Sequence, residues 1–264
     1  MQATTLSAEP RRLRERMRKG ELSGLTSGVA PGYVQANLVV LPGEQAFDFL
    51  LFCQRNPKPC PLLEVVEAGS TEPRRMAAGA DLRTDLPRYR VYEFGELVEE
   101  PTDITHVWRD DMVAFLLGCS FTFESALIKC GIRLPHFEQG KNVAMFITNI
   151  QTAPAGAFSG PMVVSMRAIP REMLVTAVQT TSRFPSVHGA PVHIGDPTVI
   201  GIEDITTPDL GDPVEIGDGD VPVFWACGVT PQAVAESSKP PLMITHAPGH
   251  MFVTDLRDED LAVI

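Results

Sequence analysis

The sequence predicts an α/β protein with an inserted α+β unit: a mixed sheet covered by helices, built as two subdomains. Three observations predict it. Near-continuous apolar runs with strand texture occur in the N-terminal third and again from Val221 onward, and such runs suit a sheet covered on both faces. Strand-to-helix steps follow several of them. The middle of the chain reads as two strands and then a helix, a compact α+β unit of its own. The expected division is a discontinuous α/β domain of residues 1–115 and 221–264, with residues 116–220 as the insert.

The totals narrow the classes. A chain of 264 residues can bury a substantial core, and 44% hydrophobic with 21% charged residues is a globular composition. A formal net charge of −11 argues against a general binder of nucleic acid or anionic membrane. No stretch approaches the roughly 20 apolar residues of a membrane span, and the basic N-terminus lacks an apolar signal core. The five cysteines include no CxxC spacing and leave at least one unpaired, which suggests reduced thiols and a cytoplasmic protein.

Element by element, Ser7–Lys19 reads as a surface helix with Ser7 as cap, Pro10 in its first turn and Gly20 as stop. Its six basic residues could form an anion-binding arm or an assembly contact between like chains. The stripe of Leu13 and Met17 favours packing on the body. A Gly-rich loop from Gly24 precedes a strand over Tyr33–Leu41, in which Val34, Ala36, Leu38 and Val40 alternate with Gln35 and Asn37. A helix over Glu44–Cys53 and a strand over Leu62–Val66 follow. Asp81–Arg88 reads as a charged loop, Tyr89–Phe94 as a strand, and Leu97–Asp103 as a polar loop. Phe115–Leu117 is an apolar run, after which Phe123, Ala126, Leu127 and Cys130 recur with helical spacing; Thr122 can cap that helix and Gly131 can end it. Strands are expected over Asn142–Thr148 and Gly160–Ile169, and a helix over Arg171–Ser182. Gly201–Asp220 holds seven acidic residues and no basic one, without the ligand spacing of a calcium loop. A strand over Val221–Gly228, a helix over Thr230–Ser238, and strands over Leu242–Thr245 and Met251–Thr254 complete the pattern.

The chemistry concentrates at Phe115–Gly140. Cys119 falls at a strand-to-helix corner, where free backbone N–H groups can lower a thiol pKa. Glu124 falls in the first helical turn, where the helix dipole favours its anion and the neighbouring Phe side chains favour its neutral form. Elsewhere, Thr26 and Ser27 offer hydroxyls in a Gly-rich loop. Arg83 could clamp a carboxylate or pair internally with an Asp. The pairs His188/His193 and His246/His250 suggest a metal site, but no HExxH or Cys/His zinc pattern is present, so no metal and no cofactor is expected. Pro at the first position of the Pro248-Gly249 turn favours a type II turn, which fits a hairpin poorly. A tight hairpin there would put His246 and His250 on opposite faces. No GxSxG and no dinucleotide fingerprint occurs.

The segments TSGVAPGYVQANLVVLP, FCQRNPKPCPLLEV, DLRTDLPRYRVYEFG, GCSFTFESALIKCGI, GPMVVSMRAIP, ACGVTPQAVAESSKPP and ITHAPGHMFVTD, in this order, resemble the bacterial hydro-lyase family, also called the D-glutamate cyclase-like family. The resemblance runs from about Gly24 onward. It implies a two-part α/β architecture and a carbon–oxygen lyase acting on a small carboxylic acid, with interconversion of D-glutamate and 5-oxo-D-proline as the specific candidate. Such a reaction needs a base near the amine, an acid near the leaving oxygen and donors for the carboxylates. The expected set is Glu124 as acid/base, His246 or His250 as its partner and Cys119 at the corner, with Arg83 and the Thr26–Ser27 loop holding carboxylates. Two other classes compete: a non-catalytic binding protein for small acids, and a metal-assisted amide or lactam hydrolase.

Overall fold

The computed structural model describes residues 9–263. In chain order the elements are α1 (Pro10–Arg18), β1 (Tyr33–Pro42), α2 (Gly43–Arg55), β2 (Leu62–Val66), β3 (Tyr89–Glu93), β4 (Glu96–Glu99), β5 (Met112–Gly118), α3 (Phe121–Lys129), α4 (Pro135–Glu138), β6 (Met145–Gln151), β7 (Pro161–Pro170), α5 (Leu174–Ser182), β8 (His193–Ile194), β9 (Asp220–Ala226), α6 (Thr230–Ser238), β10 (Met243–His246) and β11 (Phe252–Arg257). Among the described residues, no helix is long and apolar enough to cross a membrane.

The strands form two sheets. The first runs β2-β5-β1-β10-β3-β4, with β11 also on β1; the second runs β6-β7-β9-β8. The α/β class with two sheet units is the expected one. Within it every strand pairing among the described residues is antiparallel, where the sequence suggests a mixed sheet. A strand buried on both faces is apolar throughout whichever way its neighbours run, so the pattern carries no information on direction.

β1 is the axis of the first sheet. Val34, Ala36, Leu38 and Val40 pack on one face with Met76, Leu82, Leu86 and Ile104 from the 76–104 segment. Val39 and Leu41 pack on the other with Phe49 and Phe52 of α2 and with Phe158. The second sheet is covered on one face by α3 and α5, through Phe123, Leu127 and Ala177 against Val223 and Trp225. Ile200, with Ile202 and Val214 from the acidic segment, covers its other face.

Several expectations shift. Residues 221–226 pair with β7 in the second sheet, so only β10 and β11 return to the first. Asp220–Ala226 has the same apolar texture as those strands and nothing local distinguishes its partner. Leu97–Glu99 lies in a short, exposed edge strand rather than a loop. Ser7 lies outside the described residues, and Glu9 stands at the N-cap of α1. That helix is packed, not a free arm: Leu13, Arg14 and Met17 are buried, Arg14 pairs with Asp255 at 2.9 Å and Arg18 with Asp85 at 2.6 Å. Thr122 does not cap α3. Ser120 is its N-cap residue, and Gly131, at φ 81°, follows its end in the conformation expected of a terminating glycine.

Candidate active site

The two sheets meet at the corner between β5 and α3. Gly118, which ends β5, is there because a Cβ would lie 2.1 Å from the carbonyl oxygen of Ser186. The 186–188 backbone therefore lies flush against the corner. It carries His188 in a left-handed conformation, φ 83°, one that costs a β-carbon-bearing residue energy and that surrounding contacts must enforce. His188 Nδ1 is 2.8 Å from the Lys58 carbonyl. Its Nε2 has no hydrogen-bond partner among the described residues, and burial pushes its pKa down to about 4.

Arg167, fully buried on β7, organises the corner from the second sheet. Its Nε donates to Glu124 Oε1 at 3.0 Å, one terminal nitrogen donates to Ser165 Oγ at 2.8 Å, and the other donates to Ser120 Oγ at 2.9 Å and to Glu124 Oε1. Ser120 makes no side-chain cap bond to its own helix; its hydroxyl accepts from Arg167 instead. Phe123 and Trp225 flank the guanidinium, with ring centroids 5.3 and 5.6 Å from it, so aromatic faces replace water around the charge. His136 of α4, also buried, brings Nε2 to 3.1 Å from Glu124 Oε1, in ion-pair range but off the line of a hydrogen bond.

These neighbours decide the state of Glu124. Burial alone would raise its pKa; the Arg167 charge and His136 outweigh burial and hold the carboxyl down to about 2. Cys119 goes the other way. Burial pushes its thiol well above the ordinary range, although the Phe121 N–H lies 3.5 Å from Sγ. The free N–H groups of the corner do not produce the lowered thiol pKa that the sequence suggests, because Cys119 sits in an apolar cluster with Val163, Val229 and Cys227.

Glu124 also lines a narrow cleft of about 70 Å³ between the 28–35 segment and α3. Asp258 and Gln35 line it too. Asp258 accepts the Ser125 hydroxyl at 2.6 Å, and burial raises its pKa to about 6. One cleft thus contains two carboxylates displaced in opposite directions.

Of the other expected residues, the Thr26–Ser27 loop borders this cleft, the Thr26 carbonyl accepting from Gln35 and Ser27 preceding Gly28 in its lining, while Arg83, His246 and His250 are not among the residues that line it. Arg83 is engaged by Asp81 through paired contacts at 2.9 and 2.7 Å, the internal pair that the sequence left open. Thr26 is a structural tie: its hydroxyl donates to the Gly249 carbonyl at 3.1 Å and accepts the Met251 N–H at 3.0 Å. Ser27 Oγ is buried without a partner among the described residues. His246 is buried in β10; its Nδ1 accepts the Leu38 N–H at 3.2 Å, and burial pushes its pKa down to about 3. His250 follows a turn in which its N–H donates to the Ala247 carbonyl at 2.9 Å. Gly249 there has φ 79°, consistent with the expected type II turn, and β10 and β11 both pair with β1 rather than with each other. His250 lines a second cleft, of about 240 Å³, with Arg88, Arg90 and Asn142. Burial lowers its pKa. Among the described residues no group of three or more His, Cys, Asp or Glu side chains gathers as around a metal ion.

Sequence reasoning missed Arg167, His136, Asp258 and Gln35. Two of them left a signal. Arg167 is the one charged residue in Pro161–Pro170, and Gln35 and Asn37 are polar positions in a strand that is buried on both faces.

A family model described as D-glutamate cyclase matches residues 113–255. A relative from Stutzerimonas stutzeri named "Putative hydro-lyase" is 64% identical over 97% of this chain and 96% of its own length. The chain belongs to the D-glutamate cyclase family. Similar hydro-lyase names are carried by a relative from Thermoanaerobacter sp. (strain X514), 65% identical over 96% of each chain, and by YcsI of Bacillus subtilis, 60% identical over 97% of this chain and 99% of its own. A nitrogen repressor-like protein of Methanococcus jannaschii superposes with a TM-score of 0.41 at 12% identity, over 94% of this chain and 96% of that one, a likeness too slight to bear on fold or function. The part matched by the D-glutamate cyclase model contains Glu124, His136, Arg167, His246 and His250. Thr26, Ser27, Gln35, Arg83 and Asp258 lie outside it.

Proposed function

We propose that this member of the D-glutamate cyclase family is a hydro-lyase acting on a small carboxylic acid, with D-glutamate and 5-oxo-D-proline as its substrate pair. The relatives' names support the reaction class and the family's description supports the pair. The observation that carries the site is the opposed pair of carboxylates in one cleft: Glu124 held down to about 2 and Asp258 raised to about 6. Carboxylates driven apart in this way mark the division between a permanent anion and a group that exchanges protons near neutral pH.

In this reading Glu124 stays ionised and stabilises positive charge, while Asp258 moves the proton. In the forward direction the α-ammonium of D-glutamate gives a proton to Asp258. The freed amine attacks the γ-carboxyl carbon, a C–N bond forms, a C–O bond breaks and the oxygen leaves as water, giving 5-oxo-D-proline. Asp258 returns that proton to the departing oxygen and then carries across the second proton that the nitrogen sheds after attack, so nitrogen keeps one hydrogen and the oxygen leaves with two, as water. His136, beside Glu124, is a positioning residue that keeps the carboxylate oriented. This revises the expected roles: Glu124 is the electrostatic partner rather than the acid, and Asp258 takes the place given to His246 or His250.

Proton NMR of the protein with D-glutamate, and separately with 5-oxo-D-proline, tests the reading. Appearance of the other compound, lost in both Asp258→Asn and Glu124→Gln, is the expected result. No conversion by a folded sample would overturn the substrate assignment. Saturable binding of the acid without product would leave a binding protein.

A further inference from the structure

Two residues that line the cleft beside α3 carry acceptors that have nothing to accept. Gln35 and Asp258 are each 4% exposed, and neither Gln35 Oε1 nor Asp258 Oδ1 has a hydrogen-bond partner among the described residues. The Gln35 amide is not free to turn, because its Nε2 donates to the Thr26 carbonyl at 2.9 Å; reversing it would set two acceptors against each other. The second Asp258 oxygen is taken by Ser125. On Glu124, the contacts from Arg167 and His136 all fall on Oε1, which leaves Oε2 for the cleft that this residue lines.

Polar groups this deeply buried are nearly always satisfied, so two orphaned acceptors in one cleft point to an absent donor. The lining contains no cationic side chain. The nearby Arg257 guanidinium lies over the Tyr33 ring, 4.0 Å from its centroid, and Lys129 pairs with Glu259. A carboxylate or phosphate with no ammonium beside it would face two carboxylates and no cationic side chain of the lining here. A hydroxyl brings a single donor, whereas an ammonium brings three and a positive charge. Apart from Ser125, whose hydroxyl is spent on Asp258, and Tyr33, the rest of the lining is apolar, with Ala30, Pro31, Phe121, Ile128 and Phe137, and suits an alkyl stem rather than a hydrated metal ion.

We propose that this cleft seats a primary ammonium group, with Gln35 Oε1, Asp258 Oδ1 and Glu124 Oε2 as its acceptors. The assignment deepens the function proposed above and rests on it for the identity of the ligand: there, the ammonium is the α-amine of an amino acid substrate. The cleft itself recognises any unhindered primary ammonium, and Gln35 becomes a binding residue that the reaction alone does not call for.

The test is an NMR titration of the full chain with methylammonium chloride against tetramethylammonium chloride at equal ionic strength, following the Gln35 side-chain amide and the Ser125 and Asp258 backbone amides. Methylammonium is expected to give saturable shifts at these positions and tetramethylammonium none. Asp258→Asn and Gln35→Met should each weaken the methylammonium response by about tenfold or more, as loss of a hydrogen bond to a charged group does. The same variants should weaken D-glutamate binding while leaving glutarate, which lacks the amine, unaffected. Equal shifts with both cations, or an unchanged response in whichever variant folds, would overturn the proposal. Methylammonium binding without conversion of D-glutamate would sink the proposed reaction and leave the ammonium seat standing. Conversion without a methylammonium response would do the reverse.

Discussion

The β5–α3 corner and the β10–β11 turn both hold residues that a sequence marks for chemistry, and they handle burial in opposite ways. At the corner, Glu124 is 5% exposed yet stays charged, because Arg167 and His136 share its carboxylate. At the turn, His246 is 1% exposed and stays neutral, because its recorded partner is the backbone of Leu38. Depth is the same and state is not. What decides is whether an opposite charge arrives from another element, here Arg167 from the second sheet. A corner that keeps its charge can answer the charge of a substrate; His246 is suited to holding β10 against β1.

The comparison breaks most sharply at Arg167. Arg167→Met leaves Glu124 buried without its counter-charge and is expected to destabilise the fold by about 3–5 kcal/mol, read as a lowered urea midpoint. Adding Glu124→Gln to that variant should recover part of the loss, and failure to recover any would deny the coupling. The same pair sets an acid limit. Because the Glu124 pKa is lowered from 4.5 to about 2, its contribution is complete above pH 4.5 and is lost as pH falls toward 2.

Asp258→Asn sharpens the contrast within the cleft. Turnover should fall by about 10²–10⁴-fold, and the limb of the kcat/KM profile near pH 6 should disappear. Stability should move with the opposite sign to Glu124. The Asp258 pKa is raised from 3.8 to about 6, so its charged form is disfavoured in the fold and stability declines as pH rises through that interval. The variant should remove that decline, as measured by urea midpoints at pH 4 and pH 7.

Two smaller effects test the remaining expected residues. Alkylation of the native protein at pH 8, followed by mass spectrometry, should modify exposed Cys130 well before buried Cys119 or Cys227; early loss of Cys119 would restore the reactive-thiol reading. Arg83→Gln removes a partly exposed pair with Asp81, so stability should change by no more than about 1 kcal/mol and turnover by less than about twofold. A large rise in KM would return Arg83 to the substrate.

Much of the fold was legible because it rests on period and punctuation. Leu62–Val66 and Thr230–Ser238 have the bounds expected of them, although Val229 rather than Thr230 is the N-cap residue of α6 and makes no side-chain cap bond. Sheet membership was not legible: β9 and β10 read alike, and only long-range pairing sends one to β7 and the other to β1. The site divided along the same line. Glu124 and the corner were visible because they are local to one stretch. Asp258 was not, since its altered state comes from packing beside Ser125, far away in sequence.

The position of β10 has a consequence for how the molecule comes into being. It lies between β1 and β3, inside the first sheet, yet it is translated after the whole of the second sheet. Until it emerges, β1 and β3 carry unpaired inner edges, and a nascent chain that is already long displays a gap the width of one strand. Folding so dependent on distant pairing is slow to nucleate and open to misassociation while it waits. Truncation before Met243 would remove β10 and β11 together and leave the edges of β1 and β3 facing each other with nothing to join them.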